Sequence, residues 1–318
     1  MRRFECPVCT QTLYFENSVC VSCGSTVGYS RVENRMLALD LQPAGQLTPC
    51  VNLDLNGCNW IPDVAGQECF ACELTRTRPN DADARALPLY YEAEQAKRRL
   101  VFELDTIGLP LDRLPALRFD LLSSAVEPVT TGHVDGVITI DLAEGDDVHR
   151  EQVRRDMGEA YRTMLGHFRH ETGHYYELLL GQTPAIERVR QLFGDDTADY
   201  QAAIERHYSQ GPPAGWEEQY VSAYATMHPF EDFAETFAHV LHIRDALETA
   251  HAFALSPDPN VAARDFGDVV VGTWLPLSYA LNQINRSMGE KDLYPFVLAP
   301  AVIDKLRLVN GLLVEFPS

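Results

Sequence analysis

The first bounds on this chain come from what it lacks. No cysteine follows Cys72: all eight fall between Cys6 and Cys72, leaving about three quarters of the 318 residues without one. Clustering into CxxC spacings, with no secretion signal beside it, points to thiolates holding metal in a reducing compartment and away from a disulfide framework. No apolar run approaches the ~18 residues that a membrane-spanning helix requires, so no span and no membrane partner are expected. After Met1, Arg2 and Arg3 the chain runs Phe4, Glu5, Cys6, Pro7 where a signal peptide would carry its apolar stretch, and the expected location is the cytoplasm. Positive charge is scarce: 26 Lys and Arg stand against 46 Asp and Glu, a net charge of −20. That balance excludes a general nucleic-acid binder or an anionic-lipid binder, which must present a cationic surface.

What is present begins with two CxxC knuckles, Cys6 with Cys9 and Cys20 with Cys23, ten residues apart, the second followed by Gly24. Glycine there can take the left-handed turn that wraps a knuckle around a metal. Leu13, Tyr14 and Phe15 between them supply a small apolar strand. So short a module cannot stabilise itself by burial alone, so metal binding would be part of its folding energy. A looser set follows: Cys50, Cys58, Cys69 and Cys72. Two four-cysteine sites use every cysteine and leave no open coordination position, so both read as structural zinc sites. Whether the knuckles pair in series or cross over stays open, as does iron in the first set, since four sulfurs suit either metal.

The polar stretch from Leu74 to Pro88 marks a linker, which divides the chain into a zinc-ribbon domain, residues 1–74, and a second domain, residues 75–318. In the latter, Leu89, Ala93, Ala96, Leu100 and Leu104 recur at helical spacing up to Gly108. Leu117, Phe119 and Leu121 alternate with polar residues, and a β-branched run, residues 137–140, follows a turn that ends at Gly136. These read as antiparallel strands. Val153, Met157, Ala160, Tyr161, Met164 and Phe168 then form a helical stripe leading into HFRHETGHYY at 167–176.

Within that block His170 and His174 stand at i and i+4, on one face of a helix, where both can turn a nitrogen toward one zinc ion. Glu171 sits beside them, where a general base must stand to take a proton from water at the metal. His167, one turn earlier, reads as a supporting residue. A third protein ligand is still needed. Downstream, Pro229 suits a first helical turn, Phe230, Phe233, Ala234 and Phe237 bury one side, and Glu231 and Glu235 share the other at i and i+4. Residues 183–216 read as amphipathic helix ending in a Gly211 to Gly215 loop, a segment that could cap the cleft. Two buried stripes close the chain. The first runs from Phe266 to Ile284 and the second from Val302 to Leu313.

HExxH followed at a distance by a helix with a glutamate pair is similar to the gluzincin metallopeptidases, and the FEDFAETFA stretch resembles the lethal-factor type. The ribbon, the HFRHETGHYY block and the EDFAE helix together resemble a bacterial family of zinc-binding metallopeptidases with an N-terminal zinc ribbon. That resemblance implies an α+β fold: a four-cysteine zinc ribbon followed by a mainly helical, zincin-like domain with a small antiparallel sheet. It also implies one catalytic zinc beside the two structural ones, with Glu231 as third ligand and Glu235 orienting a ligating histidine; the reverse assignment stays open. Tyr224, or else His228, would then donate to the developing oxyanion, with Tyr220 a third candidate. The strand segment ahead of the active helix would be the edge that pairs with extended substrate. In two respects the chain departs from thermolysin-like enzymes: 56 residues separate His174 from Glu231, and the second acid is Glu where those have Asp. The activity implied is hydrolysis of a protein or peptide substrate, the ribbon serving as a possible docking surface for a protein partner. The alternative is a ribbon-based binding module whose third zinc only stabilises the fold.

Overall fold

The computed structural model describes residues 2–41, 46–125, 128–145 and 163–316. At the N-terminus, β1 (Phe4–Glu5) pairs antiparallel with β2 (Thr12–Leu13), and β3 (Val27–Ser30) with β4 (Arg35–Ala38). Gly24 takes the left-handed turn at φ 77°, its N–H donating to the Cys20 carbonyl at 2.8 Å. Two single-turn helices lie within the second cysteine set: α1 (Leu53–Asn56) between Cys50 and Cys58, and α2 (Phe70–Glu73), which follows Cys69 and contains Cys72. β5 (Thr75–Thr77) follows at once, so the first part of the polar linker is a strand.

The long helix α3 (Ala86–Ile107) ends as the sequence indicates, with Gly108 left-handed at φ 85° and its N–H bonded to the Leu104 and Asp105 carbonyls. It is no ordinary amphipathic scaffold. Phe102 packs its ring against Phe4, Phe15 and Tyr29 of the ribbon at centroid separations of 4.9–5.9 Å, which ties the hairpins to the helical domain. Its polar side is buried too: Glu94, Lys97, Arg98 and Glu103 are all shielded from solvent. Hydrophobic periodicity identifies the helix but cannot tell a solvated face from one satisfied by an internal network.

A four-stranded sheet has the order β5, β6 (Arg118–Leu122), β8 (Val137–Asp141), β7 (Gly132–Val134). The antiparallel expectation needs correction here. β5 with β6 and β6 with β8 are parallel, and only β7 with β8 is antiparallel. The hairpin turn at Asp135 and Gly136, with φ of 47° and 84°, reverses the chain so that β8 returns alongside β6. The β-branched run is therefore a central strand, with Ile138 and Ile140 fully buried, and the edge belongs to Gly132–Val134.

Of the stripe expected before the HExxH block, Val153, Met157, Ala160 and Tyr161 lie outside the described residues. Met164 and Phe168 are buried on α4 (Met164–Leu180), capped by the Thr163 side chain. The segment that follows forms α5 (Ile186–Phe193) and α6 (Tyr200–Gln210), and α7 (Pro229–Ala252) then crosses α4. Gly173 permits this crossing: a Cβ there would stand 2.8 Å from the Ala234 Cα. Short α8 (Phe266–Val269), α9 (Leu275–Ser287) and α10 (Pro300–Glu315) complete the domain. The first of the closing stripes fades, leaving Ile284 exposed, whereas Val302, Leu306, Val309 and Leu313 of the second are all buried. No helix among the described residues is long and apolar enough to cross a membrane.

Arg169 holds three helices in place. From α4 its guanidinium donates to Glu103 of α3 at 3.0 Å and to Asp245 of α7 at 3.1 Å, with Arg169 and Glu103 nearly inaccessible. Arg169→Met would leave the buried Glu103 and the half-buried Asp245 without this partner, and we expect it to cost about 3–5 kcal/mol, read from the denaturant midpoint. An unchanged midpoint would refute that role.

Candidate metal centre

Backbone turns at CxxC knuckles bring the cysteine sulfurs together in series. Cys6, Cys9, Cys20 and Cys23 form one group and Cys50, Cys58, Cys69 and Cys72 another, all sulfurs of a group lying within 4.8 Å of one another. The pairs Cys6–Cys23, Cys9–Cys20 and Cys50–Cys72 stand at 3.7 Å and Cys58–Cys69 at 3.4 Å. A tetrahedron of sulfurs about 2.3 Å from zinc has edges of about 3.8 Å, so both groups fit the metal. They differ in surroundings. Cys23 is exposed, whereas all four cysteines of the second group are buried.

A third group comes from two helices. Spacing i, i+4 on α4 places His170 and His174 side by side, and the approach of α7 at Gly173 brings Glu231 against both. Glu231 Oε2 lies 3.0 Å from His170 Nε2 and 3.5 Å from His174 Nε2. All three residues are buried. Burial works to raise the Glu231 carboxyl, but the two imidazoles outweigh it and hold the group well below the usual carboxylate range. Two nitrogens converging on one carboxylate oxygen at these separations fit three vertices of a zinc tetrahedron. Among the described residues no fourth His, Cys, Asp or Glu joins this group.

Supporting contacts fix the ring that the sequence leaves ambiguous. Glu235 Oε1 receives His170 Nδ1 at 2.7 Å, and its Oε2 accepts from the Ser222 hydroxyl at 2.6 Å, so Glu235 faces the far side of the histidine. The His174 ring stacks on Phe230, centroids 3.9 Å apart. Tyr200, at the start of α6, donates its hydroxyl to Glu231 Oε1 at 2.7 Å. Neither Ser222 nor Tyr200 is singled out by sequence reasoning. Tyr200 precedes Glu231 by 31 positions, and only the capping role foreseen for residues 183–216 hints that it could come near.

Glu171 lies beside this group with Oε1 bound to His167 Nε2 at 3.0 Å and Oε2 buried and unpartnered. It borders a cavity of about 560 Å³ that also touches His170, Tyr224, Trp216, His239 and Phe296. Tyr224 stands in a short 3-10 turn, its ring 5.9 Å from that of His170. Burial, reinforced by Glu231, raises its phenol well above the ordinary value, so it remains a proton donor. His228 is placed otherwise. Its Nδ1 accepts from the Phe230 N–H at 3.1 Å and its Nε2 donates to the Ala198 carbonyl at 3.1 Å, so both nitrogens are spent on capping α7 and anchoring the loop before α6. The expectation that it could serve the oxyanion is corrected: a residue directly before Pro229 at a helix start is a cap. Tyr220 faces Lys305, whose ammonium lies 4.3 Å from its ring centroid, and does not border the cavity.

Fold and site together define a class: a zinc-ribbon protein whose helical domain joins an HExxH helix to a helix with a glutamate pair. The chain belongs to the family described as "Putative zinc-binding metallo-peptidase", whose model matches residues 86–312, and a model described as a zinc-ribbon domain matches residues 3–83. Similar proteins occur in Mycobacterium bovis and Mycobacterium tuberculosis. Both are named as uncharacterized, are 51% identical to this chain, and align over 99% of it and 96% of their own length. No solved structure matches.

Proposed function

We propose that this protein is a zinc-dependent peptidase that hydrolyses peptide bonds of a protein or peptide substrate, with its third zinc held by His170, His174 and Glu231. The observation that carries the reading is the convergence of those three residues beside the unpartnered Glu171 Oε2, at the wall of an open cavity. When bound, zinc supplies Lewis acidity to a water and to a peptide carbonyl. Glu171 Oε2 takes the proton from the water and delivers it to the leaving amine. The Tyr224 hydroxyl donates to the carbonyl oxygen as it becomes anionic. Glu235 keeps His170 in the tautomer whose Nε2 is free to ligate. Two metal-binding thiolate groups suit a reducing compartment, and the cytoplasm is the location we infer. A protein partner docked on the ribbon would be compatible with this activity.

Metal content tests the ligand set before any substrate is known. Elemental analysis of the wild type should find zinc at all three groups, three ions per chain. His170→Ala and Glu231→Gln should each lose one ion, and Glu235→Gln should keep all of them. If Glu231→Gln retained the third zinc while Glu235→Gln released it, the assignment would be reversed. A wild type with zinc only at its cysteines would end the peptidase reading.

A further inference from the structure

Both ring nitrogens of His167 face carboxylates. Nε2 lies 3.0 Å from Glu171 Oε1 on the same helix, and Nδ1 meets Glu144 Oε2 on the 3-10 turn Leu142–Gly145 that leaves the sheet. Glu144 is itself anchored: its other oxygen accepts from Thr131 Oγ1 at 3.2 Å, and that hydroxyl accepts from the Asp141 N–H at 3.3 Å. Little of the ring reaches solvent, its side chain being 13% exposed. An ionised carboxylate only accepts, so a ring between two of them donates from both nitrogens and carries a positive charge. Burial opposes that charge, but Glu144 and Glu171 outweigh it and push His167 up to about 9.

We propose that His167, held by Glu144, is a positioning residue for Glu171: it occupies Oε1, so that Oε2 alone is presented to the cavity as the base. The proposal rests on the peptidase reading of the site. Two physical effects follow from the bridge. A carboxylate fixed at one oxygen loses its torsional freedom, so the other oxygen stays at the geometry that proton transfer needs. The bridge also anchors Glu171, through His167 and Glu144, to the turn that leaves the sheet. His167 touches no substrate in this scheme. A purely structural triad would tie the sheet to α4 in the same way, so the test must separate the two roles.

Initial rates on a randomised library of fluorogenic peptides should be compared for wild type, His167→Leu, His167→Gln and Glu144→Gln, with zinc measured in every sample. Outer supports of this kind are worth about 10–100-fold in activity, so His167→Leu should lower kcat by that factor with KM and zinc unchanged. The amide of His167→Gln can still donate to Oε1 and should recover most of the loss. A kcat for His167→Leu within about twofold of wild type would overturn the proposal, as would losses that track zinc or unfolding equally in both variants. A readout independent of turnover is the ¹⁵N spectrum of histidine-labelled, zinc-loaded protein. Both His167 nitrogens should be protonated, and Glu171→Gln should move the Nε2–H resonance. A singly protonated ring, or a resonance indifferent to Glu171→Gln, sinks the bridge. If the wild type cleaves no peptide, the peptidase reading fails and the spectrum alone decides on the bridge.

Discussion

Glu171→Gln is expected to lower peptide hydrolysis by about 10²–10⁴-fold, the range associated with removing a positioned general base. The substitution is nearly isosteric. Its carbonyl oxygen can still accept from His167 Nε2, now 3.0 Å from the carboxylate, so the helix and the metal group should keep their geometry. What vanishes is the proton acceptor at Oε2, the one oxygen left without a partner. The measurement is product formation on a peptide library by mass spectrometry, with the zinc content and melting temperature of the same preparation. Full activity in Glu171→Gln would mean that another group takes the proton. Lost activity with lost zinc would mean that Glu171 holds the site together without acting as the base.

How much of this centre could be read from the chain depends on the distance over which each contact acts. His170 with His174, and Glu231 with Glu235, are each one helical turn apart, so periodicity alone puts each pair on one face. Which glutamate meets the histidines is a tertiary matter. It is decided by the crossing of α4 and α7 at Gly173, which brings Glu231 to both Nε2 atoms and leaves Glu235 behind His170. Tyr200 and Ser222 reach the site from a helix start and a loop, where no spacing rule applies. His228 was legible in principle, since a side chain ahead of a proline at a helix start reads as a cap, but histidine attracts a catalytic reading. The sheet order was hidden for a similar reason. Alternation shows that residues 118–122 and 137–141 are strands, but only the path between them decides that they run parallel.

The burial of α3's charged side bears on the metal sites through an internal network. Asn56 donates from Nδ2 to Cys72 Sγ at 3.9 Å and to Glu94 at 3.2 Å, while Arg98 donates to the Asn56 carbonyl at 2.9 Å. Lys97 pairs with Glu94 at 2.7 Å, both side chains wholly buried, and Thr75 of β5 donates to the same carboxylate. Four thiolates around zinc carry a net negative charge. Burying them is tolerable only where donors and cations stand close, and Asn56, Lys97 and the Cys69 N–H, which donates to Cys50 Sγ at 3.3 Å, meet that need. The second cysteine group is thus joined to α3 through buried polar contacts.

From this follows an asymmetry between the two cysteine groups that a single pair of variants can expose. Cys58→Ser removes a ligand from the fully buried group, and loss of that zinc would leave the remaining thiols, Asn56, Glu94 and Arg98 without the geometry that satisfies them. Zinc in such sites contributes folding energy directly, and buried networks fail together, so we expect roughly 5 kcal/mol or more of destabilisation. In a chain this long that corresponds to a melting temperature lower by about 7–8 °C or more. Cys9→Ser strikes the first group, where Cys9 is half-buried and Cys23 is exposed, and where the polar ties of this part of the ribbon to α3, Arg31 with Asp105 and Glu16 with Arg99, involve no sulfur. It should loosen the outer knuckles and cost clearly less, because the aromatic packing of Phe4, Phe15 and Tyr29 on Phe102 remains. Calorimetry and zinc analysis on both variants provide the comparison. Equal losses would show that the two groups are energetically equivalent and that the network around Asn56 transmits nothing. A Cys58→Ser protein that melted like the wild type, having lost its zinc, would show that this metal contributes no folding energy.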